Sequence, residues 1–330
     1  MSRIVVHTGV GPQDPYAEVT RVLDVPGVTF LKRGPCHTPQ QVLEAVRDAD
    51  VAICVHEPYT REVLAHAPRL KAVVRVGVGV DTVDLDAATE NGVMVAYFPD
   101  FCTREVANHA IVLLLACAKK VLRLDRVLRT KGWEAARALR SPMGCVHGET
   151  LGLVAFGNIA RAVAQRAQCL EMRVIACDPY VDAEVFHQAG VESVSLPELA
   201  HRSDYVSCHL PLNQATRGML DASFFSQMKP TAYFVNTSRG AVVREADLID
   251  ALQAGRIAGA GLDVFESEPI GADHPLLAMD QVVLTAHTAS YADETFRARD
   301  RRVELAALAV LNGDVPESVA NPEVLAHRRA

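Results

Sequence analysis

Short apolar runs of strand type alternate with stretches of helical period along most of the chain. In the first part, Ile4–Val6, Val28–Leu31, Val51–Val55, Ala72–Val76 and Met94–Ala96 predict five strands. Thr38 followed by Pro39 reads as an N-cap and a first helical position, and Asn91-Gly92 as the stop of a later helix. Tyr97-Phe98-Pro99-Asp100 interrupts the alternation and marks a crossover between domains. From about Thr103 to Thr130 the pattern predicts one long helix, whose apolar stretch Ala110–Ala118 calls for burial between layers or subunits. Lys131–His147, which holds the only tryptophan, Trp133, shows no period and reads as an irregular arm or loop.

Strands are expected again at Leu151–Phe156, Arg173–Cys177, Tyr205–Cys208, Ala232–Val235, Ile257–Leu262 and Val282–Thr285. Ser195 and Asp221 mark helix starts, and further helices are expected over about Arg244–Ala254 and Asp293–Asn312. This alternation predicts an α/β protein made of two doubly wound parallel sheets with helices on both faces.

The stretch Thr150–Asp178 has the form of a dinucleotide-binding βαβ unit: strand, glycine turn, helix, second strand, closing acid. Gly157 leaves room for a pyrophosphate at the helix N-terminus, and Asp178 suits the adenosine ribose hydroxyls while repelling the additional phosphate of NADP. In the G-x-G-x-x-G pattern the three slots hold Ala155, Gly157 and Ala160. Our reading of Ala155 favours a backbone that already accommodates alanine, so that a glycine there costs stability.

At 330 residues the chain can form two domains with proper cores, and its 49% hydrophobic and 22% charged content is that of a soluble globular protein. The net charge of −7 and the lack of a basic cluster argue against a nucleic-acid partner. The N-terminal apolar run is too short for a signal peptide, and Ala110–Ala118 is about half a membrane span. The eight cysteines show no C-x-x-C or paired spacing, as expected of reduced thiols in the cytoplasm, and no metal is expected.

Three polar clusters follow expected strands of the second half: Asn236–Gly240, Asp263–Pro269 and Ala286–Ser290. Reduction of a 2-oxo acid by a nicotinamide needs a cation for the carboxylate and carbonyl, a proton donor, and a carboxylate that keeps the donor charged. Arg239, His287 and Glu268 match these roles. In the first half, the glycines of Arg75–Asp81 could aim successive N–H groups at an anion, or form an ordinary strand-to-helix turn.

At this point the chain resembles the D-isomer-specific 2-hydroxyacid dehydrogenase family over nearly its whole length. The resemblance rests on RVGVGVDTVDL (75–85), LGLVAFGNIAR (151–161), CHLPLNQATRGML (208–220), NTSRGAVVREADLIDAL (236–252), GLDVFESEP (261–269) and HPLLAMDQVVLTAHTAS (274–290). It implies Arg239, Glu268 and His287 as the catalytic set, with Val76, Gly77, Val78 and Gly79 gripping the substrate carboxylate through backbone N–H groups. Arg239 and His287 would meet the substrate too. It implies NAD as cofactor, with Asn158 and Ile159 at the pyrophosphate, Asp178 at the ribose, and Pro179, Thr103, His209, Thr216, Thr237, Ser238 and Asp263 as further contacts. Residues 1–98 with 291–330 would form a flavodoxin-like substrate domain, and 99–290 a Rossmann domain whose helix 103–130 serves dimerisation. The implied protein is a homodimer acting on a small 2-oxo or 2-hydroxy acid. The segment TREVANHA (103–110), with Asn108 in place of the family's usual acid, resembles the branch of the C-terminal-binding protein corepressors. An NAD-responsive interaction protein with weak dehydrogenase activity is therefore an alternative. A phosphoglycerate dehydrogenase without a regulatory domain is another, although no additional basic residue awaits a phosphate.

Overall fold

Runs rich in valine, isoleucine and alanine become strands buried on both faces, the environment that parallel sheets impose. The computed structural model describes residues 3–13 and 22–329, and the chain divides into two units, Met1–Cys102 with Tyr291–Ala330, and Thr103–Ser290.

The first unit holds a parallel sheet of β1 (Arg3–His7), β2 (Val28–Lys32), β3 (Val51–Cys54), β4 (Ala72–Arg75) and β5 (Met94–Ala96), in the order β2-β1-β3-β4-β5. Alternate side chains divide between its faces. Val6, Ala52, Cys54, Val73 and Val95 pack with the helices Pro39–Val46, Arg61–Ala65 and Leu85–Glu90. Val5, Val51, Ile53, Ala72, Val74 and Met94 pack with Val303, Ala306, Ala307 and Val310 of the last helix, Asp293–Leu311. Thr38 caps its helix as expected: its hydroxyl accepts from the Gln41 N–H, and Gln41 reaches back in a capping box. The tail then adds an antiparallel bridge, Ala96 to Val319, and Asn321 accepts from the Val95 N–H (2.9 Å).

The second unit holds seven parallel strands: β6 (Thr150–Val154), β7 (Arg173–Cys177), β8 (Glu192–Ser193), β9 (Tyr205–Cys208), β10 (Tyr233–Asn236), β11 (Gly259–Leu262) and β12 (Val282–Leu284). Their order, β12-β11-β10-β9-β6-β7-β8, reverses direction between β6 and β9, which makes that point the switch of a doubly wound sheet. The helices Thr103–Lys119 and Asn158–Cys169 cover one face, and Leu196–Arg202, Ala222–Gln227 and Glu245–Gln253 the other.

The expected single helix from Thr103 to Thr130 is corrected to two, Thr103–Lys119 and Val121–Lys131. Lys120 between them takes a left-handed backbone (φ 51°), which no continuing α-helix permits. The two pieces also meet different surroundings. The first buries Ala110, Leu113, Leu114 and Ala118, whereas the second buries no residue. Trp133–Ala138, read as irregular, is a short helix, and the helices Arg61–Ala65 and Ala183–Gln188 and the short strand β8 left no readable period. Among the described residues, no helix is long and apolar enough to cross a membrane. Five of the eight cysteines are buried.

Candidate active site

Since the seven strands of the second unit run in parallel, their carboxyl ends share one edge. Each of the three polar clusters, and the glycine turn, leaves the sheet there.

The turn after β6 is held by backbone geometry. Ala155 sits at φ 73°, the left-handed conformation that a first glycine of the fingerprint would supply. Its N–H donates to Cys177 O (2.9 Å), which fastens the turn to β7. The expectation of an unstrained alanine is therefore corrected: the side chain is tolerated against the backbone's preference. Gly157 then caps the helix Asn158–Cys169 with an ordinary φ of −74°, and a Cβ built there would meet nothing within 4 Å. Neither backbone strain nor protein packing accounts for this glycine, whereas close approach of a phosphate does. Asp178 accepts from the Phe156 N–H (2.8 Å) and the Tyr180 N–H (3.0 Å), so its carboxylate is fixed beside the same turn. Pro179 and Tyr180, the latter 92% exposed, follow it.

The other residues expected at the cofactor differ in what their polar atoms do. The Thr103 and Thr237 hydroxyls are buried with no hydrogen-bond partner, as groups reserved for a bound molecule would be. Burial pushes the His209 imidazole down to about 4, so the ring is neutral, and its Nε2 lies 2.9 Å from the Ser207 hydroxyl. Ser238 donates its hydroxyl to Asn236 Oδ1 (2.8 Å). The Thr216 hydroxyl donates to Pro211 O (2.6 Å) and accepts from the Asn213 N–H (2.9 Å), which holds its own loop. The Asn158 carboxamide accepts from Arg161 (2.6 Å), and the Ile159 side chain packs into the core. What these two offer is the unpaired N–H groups of a first helical turn. These features together fit a dinucleotide.

Arg239, Glu268 and His287 come from three adjacent strand ends, β10, β11 and β12. Gly240 lets the first two loops touch, since a Cβ there would stand 1.8 Å from the Phe265 carbonyl carbon. His287 Nδ1 lies 2.7 Å from Glu268 Oε2, and the other Glu268 oxygen accepts from the Phe265 N–H (2.9 Å). Burial pushes the Glu268 carboxyl up, but the hydrogen bonds from His287 and the Phe265 N–H, with the charges of His287 and Arg239, outweigh it. The net effect holds the carboxyl below its ordinary range. Both side chains of the pair are about a third exposed, open enough for a small molecule to reach.

Asp263 is fully buried, and the loop after β12 closes around it. Its Oδ1 accepts from the Thr285 hydroxyl (2.5 Å) and the Thr288 N–H (2.9 Å), and its Oδ2 from the Ala289 N–H (2.9 Å). Its carbonyl accepts from the His287 N–H (2.7 Å), and His287 itself is held at φ 53°. The expected cofactor contact thus has its carboxylate engaged by the loop that carries the histidine. Thr288 and Ala289 fall within the polar cluster read at 286–290 and Thr285 at the end of the strand before it, but nothing in the sequence marks that loop as wrapping a buried acid. A second histidine–glutamate pair, His274 Nε2 to Glu245 Oε1 (2.9 Å), serves structure: its Nδ1 accepts from the Leu276 N–H, so both ring nitrogens are used internally.

In the first unit, the Val76 N–H donates to Cys54 O (2.7 Å) and the Gly77 N–H to Arg75 O (2.9 Å). Those two N–H groups are spent on the fold, which corrects the expectation that all four residues offer theirs. Among the described residues, no hydrogen bond takes up the N–H of Val78 or Gly79.

Comparison with known proteins supplies the context of this geometry. Residues 111–289 match the family model described as D-isomer specific 2-hydroxyacid dehydrogenase, NAD binding domain. A glyoxylate reductase of Korarchaeum cryptofilum is 40% identical over 289 residues, covering 86% of each chain. A D-3-phosphoglycerate dehydrogenase of Mycobacterium tuberculosis is 40% identical over 282 residues, covering 84% of this chain and 52% of that one. The crystal structure of D-lactate dehydrogenase from Aquifex aeolicus complexed with NAD and lactic acid superposes with a TM-score of 0.84 at 25% identity, covering 97% of this chain and 99% of that one.

The turn geometry yields a stability prediction. Ala155→Gly removes the left-handed strain and should raise unfolding stability by about 0.5–1 kcal/mol, read from the urea midpoint. A lower midpoint would show that alanine is at ease there.

Proposed function

The chain belongs to the D-isomer-specific 2-hydroxyacid dehydrogenase family, and on that premise we propose that it interconverts a 2-oxo acid and a D-2-hydroxy acid, with NAD as cofactor. The observation that carries this reading is the His287–Glu268 contact of 2.7 Å at the same sheet edge as the dinucleotide turn. When bound, NADH supplies the hydride. Gly157, the first turn of the following helix and Asp178 hold it, with the Thr103 and Thr237 hydroxyls as further contacts.

Arg239 is the bidentate cation for the substrate carboxylate, and it polarises the C2 carbonyl. His287 Nε2 gives its proton to the oxygen that becomes the 2-hydroxyl, and takes it back in the oxidative direction. Glu268 stays ionised, as its lowered titration range requires, and so favours the protonated ring while fixing its tautomer through Nδ1. Within the first unit, the N–H groups of Val78 and Gly79 offer two donors to an anion. The protein acts as a cytoplasmic homodimer. The exposed apolar side chains of Val121, Leu122, Leu128 and Trp133, on two helices that bury little of their own, support self-association there.

NADH oxidation against glyoxylate, hydroxypyruvate and longer aliphatic 2-oxo acids should reveal turnover with at least one of them. Absence of turnover across the panel would overturn the assignment. His287→Ala should cut that turnover by roughly 10²–10⁴-fold while NADH binding, followed by fluorescence titration, survives. A variant that keeps its rate would remove His287 from the chemistry. Asp178→Ala should narrow the preference for NADH over NADPH by removing the charge that repels a 2′-phosphate. Equal wild-type rates with the two cofactors would contradict this role.

A further inference from the structure

The helix Thr103–Lys119 lies close on the sheet of the second unit. At Gly261 in β11 a Cβ would come within 2.9 Å of Leu113 Cβ, so the helix packs where only glycine leaves space. One turn before Leu113, His109 faces the end of β12. Its Nε2 lies 2.9 Å from the Thr285 hydroxyl and 3.6 Å from Asp263 Oδ1. The Thr285 proton is directed at Asp263 Oδ1, 2.5 Å away, so the hydroxyl oxygen is left to accept. That assigns the Nε2-protonated tautomer to His109 and makes it the donor. A directed chain results, from His109 N–H to Thr285 O–H to the Asp263 carboxylate.

We propose that His109 is a positioning residue for His287, acting through Thr285 and Asp263. The inference rests on the catalytic role given to His287 above and extends it to a residue on a different element. Asp263 receives the Thr288 and Ala289 N–H groups on either side of its own oxygens, and its carbonyl takes the N–H of His287. Those bonds hold His287 in a left-handed backbone, which is uncommon for a residue other than glycine. Without the His109 donor the Thr285 hydroxyl can turn away, and Asp263 Oδ1 loses its shortest partner. The loop then samples other backbones, and the imidazole leaves its place opposite the substrate oxygen. The requirement at 109 is one correctly placed N–H, not a charge.

The test compares His109→Leu, which removes the donor, with His109→Gln, which keeps one. His109→Leu should lower kcat for 2-oxo acid reduction by about ten- to a hundred-fold, the usual result of a small misplacement, with KM for NADH nearly unchanged. His109→Gln should recover most of the loss. In a Thr285→Val background, His109→Leu should add nothing further, since both changes break one chain. Hydrogen–deuterium exchange, read by mass spectrometry on peptides spanning 285–292, should accelerate in His109→Leu and not in His109→Gln. A full kcat in His109→Leu, multiplicative effects in the double variant, or unchanged exchange would each overturn the proposal. If the wild type reduces no 2-oxo acid, the catalytic reading fails by itself, and the exchange measurement still decides the positioning role.

Discussion

A carboxylate sealed from water has to find donors, and at the end of β11 Asp263 finds them in a single loop. An unpaired buried charge costs several kcal/mol, more than most loops can hold against. Here the Thr285 hydroxyl and the Thr288 and Ala289 N–H groups meet that demand, so the loop after β12 has little choice of conformation. His287 is carried along into a left-handed backbone, uncommon for a residue other than glycine. The acid thus sets the place of the histidine, and the histidine's Nδ1 then meets Glu268. Removal of the Asp263 carboxylate would disturb His287 while leaving its side chain and its backbone bond to residue 263 unchanged.

The parallel sheet makes this economy possible. Residues far apart in sequence, from Ala155 to His287, leave the sheet at one edge because every strand points the same way. Gly240 brings the Arg239 loop against the loop of Glu268, and Gly157 keeps the neighbouring turn open for phosphate. The same edge carries a second histidine–glutamate pair, one that serves structure. His274 also faces a glutamate, yet its second nitrogen accepts a backbone N–H, and the pair ties one loop to the helix Glu245–Gln253. Pairing with a carboxylate alone does not make a proton donor.

Much of this was legible in the residues. Strand runs in parallel sheets are short and apolar, so the alternation of strand and helix predicted both sheets, and Thr38 and Asp221 marked helix starts through their capping oxygens. Arg239, Glu268 and His287 stand as the proposed set because their types fit one reaction. What escaped depended on backbone angle or on strand order. The break at Lys120 lies in a sequence that carries no proline or glycine, and only the change from a buried to an exposed helix explains it. Ala155 conceals a glycine-like conformation behind an ordinary side chain. Asn108, which pointed toward the corepressor branch, accepts from Arg166 (2.7 Å) and so has a packing reason of its own. The grasp of Asp263 on residues 285–289 needs β11 beside β12, which no local pattern states.

The proposed mechanism turns on the Glu268–His287 pair as the source of the proton for the reduction. The hydrogen bonds from His287 and the Phe265 N–H, with the nearby positive charges, hold the Glu268 carboxyl low, so a negative charge stands beside the ring. The most direct measurement is the pH dependence of kcat/KM for 2-oxo acid reduction in the wild type and in Glu268→Gln. The rate requires a proton on the ring, so it falls as pH rises through the ring's titration. Glutamine keeps a hydrogen-bond partner but removes the charge, so the falling limb should move to lower pH. A limb that stays in place, or moves to higher pH, would contradict the pairing on which the account depends.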